Sequence, residues 1–227
     1  MAQPTYVLVP GAGGVAAYWG LVRRALAERG QSSIAVDLPG DDSAKGLPDY
    51  VDLIVEAAAG IDDVVLVAQS LGGFSGSWAA DRLPTSRIVL LNAMIPLPGE
   101  TAGQWWEATG SAEARRHHDI REGRDPDARF DLATYFLHDV PADALAALGD
   151  EERDEADAVF TTPWGLDAWP DVPTTVLAGR SDRFFPYAFQ QRVARERLGI
   201  EVTEVPGGHL AALSQPIVVA EAIVSAT

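Results

Sequence analysis

The chain has no cysteine among its 227 residues and a single lysine, Lys45, beside sixteen arginines. Without cysteine there are no disulfides, no thiolate nucleophile and no thiolate-held metal. The scarcity of lysine has no explanation in the sequence. Positive charge is scarce altogether, and the formal net charge is -16. That balance argues against nucleic acid or an anionic membrane as partner, since both require clustered Lys and Arg. No apolar run approaches the length of a membrane span. The first strand is expected to begin near Thr5, which leaves no room for a leader, so the expected location is the cytoplasm. The histidines and acids show no ligand spacing, so no metal is expected. No repeat and no low-complexity segment stands out. The 47% hydrophobic content suits a globular core.

What is present centres on Val64-Val65-Leu66-Val67-Ala68-Gln69-Ser70-Leu71-Gly72-Gly73. A short apolar run reads as a buried parallel strand. It breaks at a serine, and the segment through Trp78 and Ala79 reads as a helix. A serine on so sharp a turn needs small residues two before and two after it; here they are Ala68 and Gly72. This is the nucleophile-elbow pattern, with alanine in the first glycine position. A strand-to-helix junction whose serine caps the helix would look similar.

Tyr6 to Val9, Ser33 to Val36, Arg87 to Asn92, Thr174 to Gly179 and Glu201 to Val205 read as five further strands. Helical spacing joins Tyr18 to Leu26 and Tyr50 to Ala57, and helices are expected from Pro186 to Leu198 and from Pro216 to Ser225. The alternation predicts an α/β protein with a doubly wound, mostly parallel sheet of about six strands. Ligands of such sheets bind beyond the carboxyl ends of the strands. The interval 95–170 breaks the rhythm and reads as a helical cap inserted into a core made of 1–94 and 171–227. Its aromatic residues need burial. Its acidic stretch from Asp139 to Asp157 reads as a solvated helix face.

Serine is a weak nucleophile and needs a base, which in turn needs an orienting acid. His117 and His118 lie in a polar stretch and read as surface residues. His138 fits either a buried structural role or a substrate contact. His209 follows the last strand on the turn Pro206-Gly207-Gly208, at the ligand edge. Asp182 is the only carboxylate in the loop after the strand ending at Gly179, where it could also be a simple turn residue. The end of the fourth strand offers Asn92-Ala93-Met94 and no acid before Glu100. Ser70, His209 and Asp182 are therefore the expected catalytic set. The N–H groups of Leu71 and, from the glycine loop Gly11 to Gly14, Ala12 are the expected oxyanion donors.

With these residues in order, the chain resembles the α/β-hydrolase superfamily along nearly its full length. The order serine, acid, histidine matches, as do Asp37-Leu38-Pro39-Gly40 and Gly179-Arg180-Ser181-Asp182. The resemblance implies a minimal version of that fold, without its early antiparallel strands. Within it, the glycine loop leading to Tyr18-Trp19, the run Gln69 to Gly73 and Leu91-Asn92-Ala93-Met94-Ile95-Pro96 look most like the small esterase, methylesterase and hydroxynitrile-lyase branch. Two departures, Pro10 where the family's loop has histidine and Ala68 in the elbow, remove no catalytic group. The plant lyases carry a lysine after the catalytic histidine; here Leu210 stands there, which argues against cyanohydrin chemistry. The resemblance implies a serine hydrolase acting on a carboxylic ester or lactone of small to medium apolar or aromatic substrates, with no cofactor. Trp105, Trp106, Tyr135 and His138 are the candidate substrate contacts. A small molecule is the expected partner, with a homodimer left open.

Two rival readings are kept. The same fold supports a lyase, a cofactor-free oxygenase or a non-catalytic binding module. Gly11-Ala12-Gly13-Gly14-Val15-Ala16 with Asp37 also fits a dinucleotide-binding fingerprint. That reading leaves the elbow, the Asp182 loop and the His209 turn unexplained, and no Tyr-x-x-x-Lys pair exists.

Overall fold

A computed structural model describes residues 3–146, 148 and 153–227. Six parallel strands form one sheet: β1 Thr5–Val9, β2 Ser32–Ala35, β3 Val64–Gln69, β4 Thr85–Leu91, β5 Thr174–Gly179 and β6 Val202–Val205. Their order is β2-β1-β3-β4-β5-β6, so the elbow strand β3 lies centrally.

The strands read as continuous apolar runs because both faces of the sheet are covered. Val7, Val9, Leu66, Ala68, Ile88 and Leu90 face one core. There they meet α2 (Leu47–Ala57), α3 (Gly72–Ala80) and, further on, α9 (Tyr187–Leu198). Tyr6, Leu8, Val65, Val67, Val89 and Leu91 face the other core. That side is closed by α1 (Gly20–Glu28), α10 (Ala211–Ser214) and α11 (Pro216–Ser225). The alternation along each strand is the two-residue side-chain period of a pleated strand.

The expected strands and core helices are all present, with ends shifted by at most three residues. The largest shift is at α2, which starts at Leu47 rather than Tyr50. Pro48 occupies its first turn, and the Asp49 carboxylate takes the Gly46 N–H at 2.9 Å. The short α10, directly after His209, has no signal in the sequence pattern.

Between β4 and β5 lie α4 (Ala102–Thr109), α5 (Ser111–Arg121), α6 (Leu132–Tyr135), α7 (Ala142–Ala146) and α8 (Asp157–Thr161). Thr101 caps α4 through a reciprocal bond with Gln104. Trp105 and Trp164 are buried, as their size requires. Arg197 of α9 donates to Ile95 O at 2.6 Å and to Glu100 Oε1 at 2.9 Å, and so pins this region to the core.

In the acidic stretch Asp143, Asp154 and Asp157 are exposed as expected, Asp150, Glu151 and Glu152 lie outside the described residues, and two acids depart from expectation. Asp139 and Glu155 turn inward, because each meets an unpaired backbone N–H on the core. Buried N–H groups need acceptors more than these carboxylates need bulk water. No helix among the described residues is long and apolar enough to cross a membrane.

Candidate active site

Ser70 sits between β3 and α3 with φ of 50°, in the left-handed region that side chains rarely adopt. The turn holds because its neighbours leave no alternative. A Cβ on Gly72 would come within 2.4 Å of Pro10 O, and one on Gly73 within 1.9 Å of Met94 O. The elbow is thus wedged between the loop after β1 and the segment after β4. Met94 N–H donates to Ser70 O at 2.9 Å and closes the wedge. Of the two small residues expected around the serine, Gly72 answers to this backbone contact. Ala68 instead faces Gly76 of α3.

Three side chains from three loops meet in one line. The Ser70 Oγ lies 3.1 Å from His209 Nε2. His209 Nδ1 lies 2.9 Å from Asp182 Oδ2. A carboxylate at Nδ1 keeps the proton on that nitrogen and leaves Nε2 free to accept from the serine hydroxyl. Asp182 is 0% and His209 1% exposed. The other oxygen of Asp182 accepts from Phe184 and Phe185 N–H at 2.8 Å each. Asp182 is therefore both the turn residue and the partner of His209; the two readings are not exclusive. The imidazole is packed edge-on by Phe136, Phe184 and Phe185, with ring centres about 5 Å away.

The sequence reading missed the residues that hold these loops in register. Asn92, at the end of β4, donates to Gly208 O at 2.9 Å and His209 O at 3.1 Å, and accepts from Gly179 N–H at 2.7 Å. Gln69 donates to His209 O at 3.3 Å. Gln190 of α9 donates to Phe185 O at 2.8 Å and reaches Asp182 Oδ2 at 3.3 Å. A polar amide ending an apolar strand was the available signal for Asn92; Gln190 is one polar residue among several on its helix and carried none.

The N–H groups of Ala12 and Leu71 donate to no protein acceptor among the described residues. Both residues, with Ser70 and His209, line a cavity of about 420 Å³. A second cavity of about 360 Å³ shares Ala12, Gln69, Leu132, Phe136, Arg153 and Leu210 with it. Of the four candidate contacts, only Trp106 lines the cavity at Ser70. Trp105 lies beneath it at 0% exposure, packed on Phe185 and Phe189 with its indole N–H on Ile95 O. Tyr135 donates to Asp119 and stacks on Phe130 beside a separate, smaller cavity. His138 lies behind the His209 turn, against Gly208, half-buried with both ring nitrogens shielded from solvent. Burial, and then the Arg183 guanidinium, hold its imidazole below the usual histidine range, with Asp139 opposing. Beside Trp106, the apolar wall is built from Met94, Phe136, Phe160 and Phe184.

His117 is exposed and His118 half-buried on α5. Asp37, which a dinucleotide site would need for the ribose, accepts from Ala16 N–H at 3.0 Å and pairs with Arg153 at 3.0 Å. Among the described residues no cluster of three His, Asp or Glu side chains could hold a metal ion.

Comparison with known proteins agrees with this architecture. The alpha/beta hydrolase family matches residues 6–222. Methylesterase 7 of Arabidopsis thaliana is 37% identical over 107 residues, a match that spans 41% of this chain and 41% of that protein. Among solved structures, polyneuridine aldehyde esterase superposes with a TM-score of 0.79 over 99% of both chains at 21% identity. A pyrethroid hydrolase from Sphingobium faniae JZ-2 gives 0.77 over 99% of this chain and 97% of its own, at 22% identity. An extracellular alpha/beta-hydrolase from a Paenibacillus species gives 0.78 over 99% of both, at 20% identity. At these identities the structures share a fold.

Proposed function

The chain belongs to the alpha/beta hydrolase family, and from that premise we propose that it is a serine esterase working through Ser70, His209 and Asp182. The observation that carries the proposal is the unbroken line from buried Asp182 through His209 to Ser70, opening on a cavity. Ser70 attacks the acyl carbonyl while His209 Nε2 takes its proton. Asp182 holds the imidazole tautomer and stabilises the imidazolium. Negative charge grows on the carbonyl oxygen. The N–H groups of Ala12 and Leu71, the latter at the start of α3, are the donors for it. The protonated His209 then gives its proton to the leaving alcohol, forming an acyl-Ser70. Water, deprotonated by His209, releases the acid.

The substrate proposed is a carboxylic ester or lactone of small to medium size with an apolar or aromatic portion. A wall of Met94, Trp106, Phe136, Phe160 and Phe184 favours such groups. The similarity to a methylesterase supports an ester as substrate, and the fold is shared with polyneuridine aldehyde esterase and a pyrethroid hydrolase.

The test treats wild type and Ser70→Ala with a fluorophosphonate probe and a short p-nitrophenyl ester, with folding checked by circular dichroism. Labelling and turnover by wild type alone are expected. Equal hydrolysis by a folded Ser70→Ala protein would sink the mechanism.

A further inference from the structure

The loop Gly11 to Gly14 has few bonds of its own. Within it, Gly14 N–H donates to Gly11 O at 3.1 Å; beyond it, Gly14 O accepts from Leu38 N–H at 2.8 Å. Among the described residues, its one side-chain hydrogen bond comes from a segment 142 positions later. Glu155 Oε2 accepts from Gly13 N–H at 2.7 Å. Glu155 Oε1 accepts from the Tyr50 hydroxyl on α2 at 2.6 Å. On one side of this carboxylate, Ala156 N–H donates to Gly40 O at 2.7 Å. On the other, Arg153 donates to Leu38 O at 2.9 Å while paired with Asp37. Gly13, at φ of 85°, has Arg153 O 2.6 Å from the place a Cβ would take, so the two backbones are in direct contact.

We propose that Glu155 is a positioning residue: by holding the Gly13 N–H it fixes the Ala12–Gly13 peptide, which restrains the Ala12 backbone and so the preceding peptide, whose Ala12 N–H is to face the carbonyl oxygen of a substrate on Ser70. The proposal rests on the oxyanion role given to Ala12 above. The geometry explains why an acid sits beside an apolar cavity. A carboxylate oxygen is a strong acceptor for a backbone N–H. Its second oxygen is engaged by Tyr50, so both oxygens of the carboxylate are held in place. Burial raises the Glu155 carboxyl above its usual range, and the hydrogen bonds from Tyr50 and Gly13 partly offset this. The segment between β4 and β5 thereby sets the shape of a loop belonging to the sheet.

Wild type, Glu155→Ala, Glu155→Gln and Ser70→Ala are compared by three readouts. These are kcat and KM on a short p-nitrophenyl ester, Tm, and hydrogen exchange of the peptide covering residues 8–19. Glu155→Ala should lose about 10- to 100-fold in kcat with KM nearly unchanged, as expected for a misplaced catalytic group. Exchange in the 8–19 peptide should quicken. Glu155→Gln keeps an oxygen for Gly13 and should recover most of kcat and the slow exchange. Wild-type kcat in Glu155→Ala, a loss that glutamine does not rescue, or unchanged exchange would each overturn the proposal. Should the alanine protein fail to fold, Glu155→Asp, shorter by one methylene, takes its place. If wild type and Ser70→Ala turn over the ester alike, the serine mechanism is what fails. The exchange comparison still decides whether Glu155 holds the loop.

Discussion

At Asn92 an amide side chain, fully buried and at φ of 48°, ties the ends of β4 and β5 to the turn carrying His209. Asn92→Ala would leave Gly179 N–H and Gly208 O without their partner, and His209 O with the Gln69 amide alone. Each buried group so orphaned costs about 1–3 kcal/mol. The substitution should lower Tm and reduce turnover together, measured by thermal melting and ester hydrolysis; wild-type values for both would refute the clamp. His138 provides a pH test. Its folded pKa lies below the unfolded value, so its contribution to stability is present above about pH 6.5 and is lost as pH falls through the folded pKa. Asp139, Arg183 and Asp182 are the charges that face it. His138→Gln cannot titrate. Wild-type Tm should therefore fall more steeply than the variant's between about pH 7 and pH 5. Parallel curves would rule out a half-buried, neutral His138.

The elbow is an element whose sequence and structure agree residue by residue. Ser70 is strained because β3, α3 and the segment after β4 converge on it, and glycine at 73 is what lets Met94 O approach. Gly73→Ala should cost about 1–3 kcal/mol through overpacking. For a chain of this size that is a Tm fall of roughly 2–4 °C per kcal/mol. Fluorophosphonate labelling of Ser70 should slow as well, and unchanged labelling would show that the turn has slack. Within the stretch from Asp139 to Asp157, Asp139 and Glu155 are the two residues where pattern failed. The charge of the stretch reads as a solvated face because charge runs are usually solvated. Only the fold shows that Gly13 and Gly208, far away in sequence, present N–H groups to it.

Across the whole molecule the formal charge of -16 is spread over a 24.2 kDa chain with few cations to offset it. Self-repulsion of this kind weakens a compact state. Salt shortens its range, from about 30 Å at 0.01 M to about 8 Å at 0.15 M. Tm should therefore rise with sodium chloride over that interval, and a flat or falling Tm would show that local ion pairs, such as Arg197 with Glu100, outweigh the net charge.

The sequence by itself determined the strands, because a sheet covered on both faces demands apolar runs that little else produces. It also determined that Ser70, Asp182 and His209 would fall on one edge, because the carboxyl ends of parallel strands share that edge. Their mutual distances, and the partners that hold them, belong to the tertiary structure. Asn92 and Glu155 act across separations of 116 and 142 positions, and Gln190 acts from a helix face on a loop eight positions away, where no local period records the contact. The same holds for the cavity wall. Trp105 and Trp106 are neighbours in sequence, yet one is sealed beneath Phe185 and the other faces Ser70's cavity. Which way each points is settled by the packing of α4 on the core, a contact between elements that neither residue's own surroundings in the chain can specify.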